Sequence, residues 1–118
     1  MKTINKFRAW DEVHNKMVYQ TNALESFERF FRVIGISFPL MQSTGFLVKS
    51  DKYVYDLDIV KFDKGSVGLI EWSEERFCYV VVWESHRRKW CKSLAWLSGR
   101  KNIEVIGNIY ENPNLINQ

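Results

Sequence analysis

The alternation of apolar and polar residues divides the chain into many short strand-like segments. Residues 6–11, KFRAWD, alternate with Phe7 and Ala9 on one side, a side that Val13 extends, and MVYQ at 17–20 follows the polar turn EVHNK. Two alternating segments joined by a short polar turn predict a β-hairpin at the start of the chain.

Between residues 22 and 35 the apolar period becomes that of a helix. Asn22 stands three residues before Glu25, which is a capping arrangement, and Gly35 is a typical helix stop. The apolar positions at helical spacing are Ala23, Leu24, Phe27, Phe30, Phe31 and Ile34. We expect this Phe-rich stripe to pack against a sheet, and its alternative role is a partner-binding face formed by Phe27, Phe30 and Phe31.

After the helix the period returns to two. The strand-like segments are PLMQSTGFLV, KYVYDLDIVKFD, VGLIEW, RFCYVVVW and IEVIGNIY, with turns predicted at KGS and SEER. In the second segment Tyr53, Tyr55, Leu57 and Ile59 share one face, and the pattern then switches to Val60 and Phe62. The switch predicts a bulge or a strand boundary near Asp58 and Ile59.

The segment from residue 76 onward predicts a buried strand, a loop and a short helix. RFCYVVVW is a continuous apolar run, which is typical of a strand buried on both faces. ESHRRK predicts a polar loop. KSLAWLSG predicts one or two helical turns, with Ser93 as the cap and Gly99 as the stop.

These segments together predict a mainly β fold (a β-rich α+β fold). An N-terminal hairpin and one amphipathic helix would join a C-terminal half that forms a small curved sheet or SH3-like barrel. The 118 residues fit a single domain, 1–118, with a hairpin-plus-helix lobe at 1–38 and a barrel-like lobe at 39–118. A hydrophobic share of 46% is too high for a disordered chain.

Targeting and cysteine patterns place the protein in a reducing cytoplasm. The basic start MKTINKFRAW has no apolar stretch behind it, and no run approaches the length of a membrane span, so we expect neither a signal peptide nor a membrane partner. Cys78 and Cys91 belong to no CxxC motif, and we expect free thiols, although one hairpin register would bring them together.

Four blocks of the sequence resemble the YopX family of bacteriophage and prophage proteins. KFRAWDEVHNKMVY at 6–19, LMQSTG at 40–45, DLDIVKF at 56–62 and EVIGNIYENPNL at 104–115 follow the order and rough spacing of that family's motifs. The resemblance implies a β-rich fold with a barrel-like C-terminal half, and a phage origin. With that origin, the expected location is the cytoplasm of an infected bacterial host. It implies no activity, because the family has no established biochemical function.

The chain departs from the family pattern at two turns. The family usually has Gly before the Asp-Ile-Val segment, whereas this chain has Leu57, so we expect the bend to be made otherwise or elsewhere. A glycine-containing turn of the family is replaced by VKSDKY, which predicts a less tight turn at 49–52. The terminal Gly107–Asn108 step and Pro113 indicate a structural turn rather than a ligand contact.

The sequence gives little support to catalysis or metal binding. His14 and His86 have no second ligand at zinc spacing, and Cys91 would meet His86 only through the tertiary fold. Asp56 and Asp58 would share a face of one strand. We expect these carboxylates, and the nearby Asp63, to be solvated or to lie beside Lys61 rather than to act in general acid–base catalysis. We therefore predict a protein that is not an enzyme and that has no metal or other cofactor.

One segment concentrates positive charge and tryptophan. Residues 86–101, HRRKWCKSLAWLSGRK, contain no acid, whereas the whole chain carries only +3. Basic side chains interleaved with tryptophan can bind a phosphate backbone and stack on bases, or can meet an acidic protein. The residues of this candidate surface are Arg87, Arg88, Lys89, Trp90, Lys92, Arg100 and Lys101.

The functional hypothesis is a phage or prophage accessory protein that acts by binding. A phage or host protein is the expected partner, with the Phe-rich helix or the basic segment as the contact surface. Weak nucleic-acid binding through residues 86–101 is the alternative. Self-association through a sheet edge or the helix stripe is a further expectation.

Overall fold

The computed structural model of the protein describes residues 7–20, 38–48 and 52–116, and the fold there is mainly β, as the sequence predicts. The elements in chain order are β1 (Phe7–Asp11), β2 (Lys16–Tyr19), β3 (Leu40–Leu47), β4 (Tyr53–Tyr55), β5 (Asp58–Phe62), β6 (Ser66–Ser73), β7 (Cys78–Ser85), β8 (Arg88–Ser93), α1 (Leu94–Ser98), β9 (Glu104–Asn108) and a 3-10 helix (Pro113–Leu115). The helix predicted over 22–35, with Phe27, Phe30 and Phe31, lies outside the described residues.

The chain divides into two compact units, residues 1–43 and 44–118. The boundary falls inside β3, which is one strand of eight residues where the sequence suggested several short apolar pieces. The single domain with lobes at 1–38 and 39–118 stays a prediction.

The hairpin predicted at the start of the first unit is confirmed. β1 pairs with β2 in antiparallel register, with Asp11 opposite Lys16. The Asp11 carboxylate closes the turn by accepting hydrogen bonds from the backbone N–H groups of Val13 (3.0 Å) and His14 (3.1 Å). Val13 was expected on the buried side, but it lies in this turn with 73% of its surface exposed, because the turn ends the strand alternation at Asp11.

The second unit is built on a five-stranded antiparallel sheet with the strand order β8-β7-β6-β5-β9. The sheet curls around a core formed by Val60, Phe62, Ile70 and Val81 on one face, against which Leu97 of α1 packs. Burial of these side chains supplies the main stabilising free energy of the unit.

The run RFCYVVVW is buried on both faces only at its centre. Val80 and Val81 are consecutive and both almost fully buried, which confirms the prediction for that part of β7. Phe77 contradicts it, because it lies in the turn between β6 and β7 and is 81% exposed.

The predicted break in the KYVYDLDIVKFD segment is confirmed and takes the form of a turn at Asp56–Leu57. A register shift follows between Ile59 and Val60, where β5 meets β9. The prediction that Asp56 and Asp58 share a face of one strand is wrong, because Asp56 lies in the turn. Asp58 begins β5 and is buried, and its carboxylate accepts a 2.8 Å hydrogen bond from the Tyr55 N–H.

Leu57 makes the bend that the family gives to glycine. Its φ is 69°, in the left-handed region where glycine is favoured. Its N–H donates to the Ile70 carbonyl (2.7 Å), and its carbonyl accepts from the Ile109 N–H (3.1 Å). These two hydrogen bonds hold the left-handed conformation, so the first of the two expected alternatives is confirmed: the bend stays at this position and is made without glycine.

The turn expected at 49–52 is only partly described. The Val48 N–H donates to the Lys52 carbonyl at 3.0 Å. Residues 49–51 lie outside the described part.

The terminal motif is a structural turn, as its sequence indicates. The buried Asn108 side chain accepts from the N–H groups of Tyr110 (3.0 Å) and Glu111 (2.9 Å) and donates to the Glu111 carboxylate (2.7 Å). Asn112 in return accepts from the Asn108 N–H at 3.2 Å. The side-chain oxygens of both asparagines thus accept hydrogen bonds from backbone N–H groups and fix the turn.

Candidate binding groove and basic segment

The basic segment begins in a tight hairpin rather than in a loop. His86 and Arg87 have φ values of 54° and 63°, and positive φ at both central residues is the requirement of a type I′ turn. Ser85 is paired with Arg88, so β8 starts immediately after the turn. The loop predicted over ESHRRK is therefore wrong, since strand pairing overrides the polar composition of those residues.

Strand alternation divides the basic segment between two faces of the sheet. Arg88, Trp90 and Lys92 lie on the face that carries the core, whereas Lys89 points to the opposite face. Arg87 is exposed in the turn. The seven candidate residues therefore do not form one continuous surface.

Three tryptophans form a ladder on the core face. Trp83 stacks on Trp96 with ring centroids 5.2 Å apart and on Trp90 with centroids 6.2 Å apart. The Arg88 guanidinium lies 5.8 Å from the Trp90 ring centre. Trp90 is 37% exposed, whereas Trp83 and Trp96 pack against the core.

The short helix positions Trp96 and confirms the predicted cap. The Ser93 hydroxyl accepts from the Trp96 N–H at 3.2 Å, and the Gly99 N–H closes the other end of α1 by donating to the Trp96 carbonyl. Phe62 meets Trp96 edge to face at 5.9 Å. The helix thus belongs to the structural support of the ladder.

Arg100 is engaged within the protein. Its guanidinium lies 4.9 Å from the Trp96 ring centre, and its Nε and Nη2 contact the Asp63 carboxylate at 3.0 and 2.8 Å. The hydrogen bond from Arg100 is the main reason that the pKa of Asp63 is lowered from its usual value, with the Lys101 N–H as a further donor. Of the predicted surface residues, Arg100 is therefore the least available to a partner.

A broad groove of about 1310 Å³ lies at the end of the sheet where β8 begins. Val67, Leu69 and Val82 line it, and the strand register places all three on the sheet face opposite the core. Leu115 and Ile116 add apolar surface from the 3-10 helix and the residue after it. The groove thus offers apolar contact surface outside the core.

The structure brings Lys89, Arg100 and Lys101 together at this groove and adds Lys64 from the β5–β6 turn. Lys64 was not among the predicted surface residues, because it stands 25 positions before Lys89 and only the KGS turn signal marks its neighbourhood in the sequence. Three acids, Asp63, Glu71 and Glu84, also line the groove, against four basic residues. Its charge is therefore mixed, with a small excess of positive charge.

The described residues offer few other chemical sites. No group of three His, Cys, Asp or Glu side chains in ranges 7–20, 38–48 and 52–116 is arranged to hold a metal ion. Cys91 lies opposite Val82 in the β7–β8 register, so the hairpin does not bring it to Cys78, and both thiols are free. No helix in the described part of the chain has the length and apolar composition needed to cross a bilayer.

Comparison with known proteins identifies relatives. The model of the family described as YopX protein matches residues 20–117, a range that holds three of the four sequence blocks but not FRAWD. The crystal structure of protein EF1440 from Enterococcus faecalis matches with a TM-score of 0.62 at 22% identity, covering 98% of this chain and 100% of that chain, which shows a shared fold. A comparison with curated proteins gives no match. Because the family match spans most of its length, the chain belongs to the YopX family, whose function is unknown.

Proposed function

We propose that this protein is a binding module of phage or prophage origin, acting in the cytoplasm of an infected bacterial host. The groove at the basic end of the five-stranded sheet would take a short segment of a phage or host protein. The observation that carries the proposal is an apolar lining of Val67, Leu69 and Val82 beside Lys64 and Lys101. Such a groove suits a segment that combines an apolar anchor with acidic neighbours.

The charge arrangement favours a protein partner over nucleic acid. A phosphate backbone needs a continuous run of positive charge. Here Glu71 and Glu84 line the groove, and the Arg100 charge is matched by Asp63. A protein segment can alternate its charges to suit such a lining, whereas a nucleic-acid strand cannot.

We propose a binding role rather than a catalytic one. The pKa of Asp63 in the groove is lowered because Arg100 and the Lys101 N–H stabilise its charged form. These contacts hold the β5–β6 turn against the chain that follows α1. A carboxylate used in this way is a poor general acid or base.

Nucleic-acid binding is the second candidate, and one observation favours it. Trp90 is 37% exposed, stacked on Trp83 and accompanied by Arg88. An exposed indole beside a guanidinium is a platform on which a base can stack.

Affinity capture from host and phage-infected lysates tests the groove. We expect the immobilised protein to retain a defined set of proteins, and the double variant Lys64→Glu/Lys101→Glu to lose at least tenfold of that signal, since charge reversal repels an acidic segment. Lys52 is exposed and does not line the groove, so Lys52→Glu is the charge-reversal control and should retain the full set.

The same lysates and variants distinguish the alternatives. Equal capture by the groove variant and the wild-type protein would contradict the proposal. A gel-mobility assay with single- and double-stranded DNA at low salt provides the second arm. A shift that disappears with Trp90→Ala and Arg88→Glu but persists with Lys64→Glu/Lys101→Glu would favour nucleic acid instead.

A further inference from the structure

Phe77 occupies an unfavourable position for an aromatic residue in two respects. Its side chain is 81% exposed at the tip of the β6–β7 hairpin. Its φ is 52°, in the left-handed region that bulky residues rarely adopt. Positive φ values also occur in other turns of the described chain, at Asn15, Asp63, His86 and Arg87, but Phe77 combines that conformation with a large exposed aromatic ring. This combination makes Phe77 a candidate contact residue.

The surroundings of Phe77 extend this tip into an aromatic and acidic end of the sheet. Trp72 is 48% exposed and meets Tyr79 edge to face at 5.2 Å. Burial, and secondarily the charge of Asp56, raises the pKa of Tyr79. Glu74 and Glu75 are exposed in the same turn as Phe77.

The basic residue of this turn, Arg76, extends its side chain away from the tip towards β8. The Arg76 guanidinium donates to the Cys91 carbonyl of β8 at 3.3 Å. The tip therefore presents an aromatic ring accompanied by the two glutamates.

Strand order places this tip at the end of the sheet opposite to Lys64 and Lys101, the basic residues of the groove. β7 runs from Cys78 beside the tip to Ser85 beside the type I′ turn. Eight residues of strand span about 25 Å, so the tip cannot enter the groove of its own chain. The end that has the turns of the groove carries Lys64, Arg87, Arg88, Lys89, Arg100 and Lys101 together with the acids Asp63, Glu84 and Glu104, so basic residues are in excess there. The β6–β7 turn carries Glu74 and Glu75 with the single cation Arg76.

We propose that the protein associates with itself head to tail, with the Phe77 tip of one copy seated in the groove of a second copy. Phe77 would contact the apolar lining, and Glu74 and Glu75 would face Lys64 and Lys101. This inference rests on the proposed function, because it uses the same groove and names a second copy of the chain as its occupant. Contacts of this heterologous kind close into a ring or extend as a chain.

Sedimentation velocity at increasing protein concentration tests the association. We expect the average mass to rise above the 14.1 kDa of one chain and to fall as salt is added, because the contact is partly ionic. Phe77→Ser should weaken the association at least tenfold. Val13→Ser, which alters another exposed apolar residue in a hairpin turn, should leave it unchanged.

Charge-reversed variants test the pairing of the two ends. Glu74→Lys/Glu75→Lys makes both ends basic, and Lys64→Glu/Lys101→Glu makes the groove end more acidic, so each variant alone should stay monomeric. An equimolar mixture should associate, since opposite charges face each other again in every mixed contact.

The outcomes separate this inference from the proposed function. A wild-type chain that stays monomeric at all concentrations and salts would overturn the self-association, and so would a mixture that stays monomeric. If the Lys64→Glu/Lys101→Glu variant then also loses lysate partners, the groove still binds proteins but not a second copy. If the wild-type chain stays monomeric and the Lys64→Glu/Lys101→Glu variant retains all lysate partners, both proposals fail.

Discussion

At the scale of single residues, positions that break local preferences define the bends of the second unit. Leu57 adopts a φ of 69° and Phe77 a φ of 52°, although neither is a glycine. At Leu57 two backbone hydrogen bonds hold the conformation. The residue therefore tolerates a strain of about 1 kcal/mol that a glycine would avoid.

Replacing Leu57 separates backbone strain from side-chain packing. Both Leu57→Ala and Leu57→Gly remove the half-buried side chain, but only glycine relieves the left-handed φ. We expect the glycine variant to be more stable than the alanine variant by about 1 kcal/mol in denaturant unfolding. Ala95 in α1 provides the control, since Ala95→Gly should lower stability there. Equal stabilities of the two Leu57 variants would contradict this account of the bend.

Gly107 is required by a close approach. A Cβ at this position would lie 2.6 Å from Cγ and 2.9 Å from Cβ of Asn112. Gly107→Ala should therefore displace Asn112 from the Asn108 N–H and lower the free energy of unfolding by about 1–3 kcal/mol. Thermal or denaturant unfolding measures the loss.

Two matched variants check the cause of that loss. Gly99→Ala should have little effect, because its Cβ would meet the Trp96 carbonyl at an ordinary 3.5 Å. In an Asn112→Gly background, Gly107→Ala should cost less than in the wild-type chain. A full loss in that background would show that Asn112 is not the obstacle.

At the scale of elements, the ion pair between Asp63 and Arg100 joins the β5–β6 turn to the chain after α1. The contact is bidentate, and the Asp63 N–H also donates to the Lys101 carbonyl at 2.7 Å. Together with the stacking of Arg100 on Trp96, it fixes the loop that carries Lys101 at the groove.

This ion pair predicts a contribution to acid sensitivity. The pKa of Asp63 is lowered in the folded protein from 3.8, so its contribution to stability is present above that value and is lost as pH falls through the folded pKa. Asp63→Asn should lower stability at neutral pH and make the decline below pH 4 less steep. Unfolding midpoints measured from pH 2 to pH 7 test this, with Glu12→Gln in the exposed β1–β2 turn as the control. Parallel curves for Asp63→Asn and the wild-type protein would contradict it.

At the scale of the whole molecule, the net charge does not describe how charged residues are arranged. A formal charge of +3 does not indicate where the basic and acidic side chains lie. In the second unit, antiparallel strand order brings more basic than acidic residues to the turns at one end of the sheet, beside the groove. The β6–β7 turn at the other end carries Glu74 and Glu75 beside Phe77.

The sequence alone determined features that depend on neighbours along the chain. The first hairpin, the Ser93 cap of α1, the break before β5 and the structural turn at Asn108 follow from local alternation and turn residues. The Ser93 cap and the Asn108 turn involve residues within four positions of one another, where short-range hydrogen bonds decide the conformation. The hairpin and the break before β5 are marked in the sequence by their turn residues and by the change in apolar alternation.

The tertiary structure alone decided which distant side chains meet. Asp63 and Arg100 are 37 positions apart, Lys64 and Lys89 share a groove, and Phe77 was expected in the core but lies at an exposed tip. Strand order and register fix these relations, and a shift of one residue would reverse which side chains face the core. The pattern of apolar residues predicts that strands exist, but it does not specify which strand ends lie together.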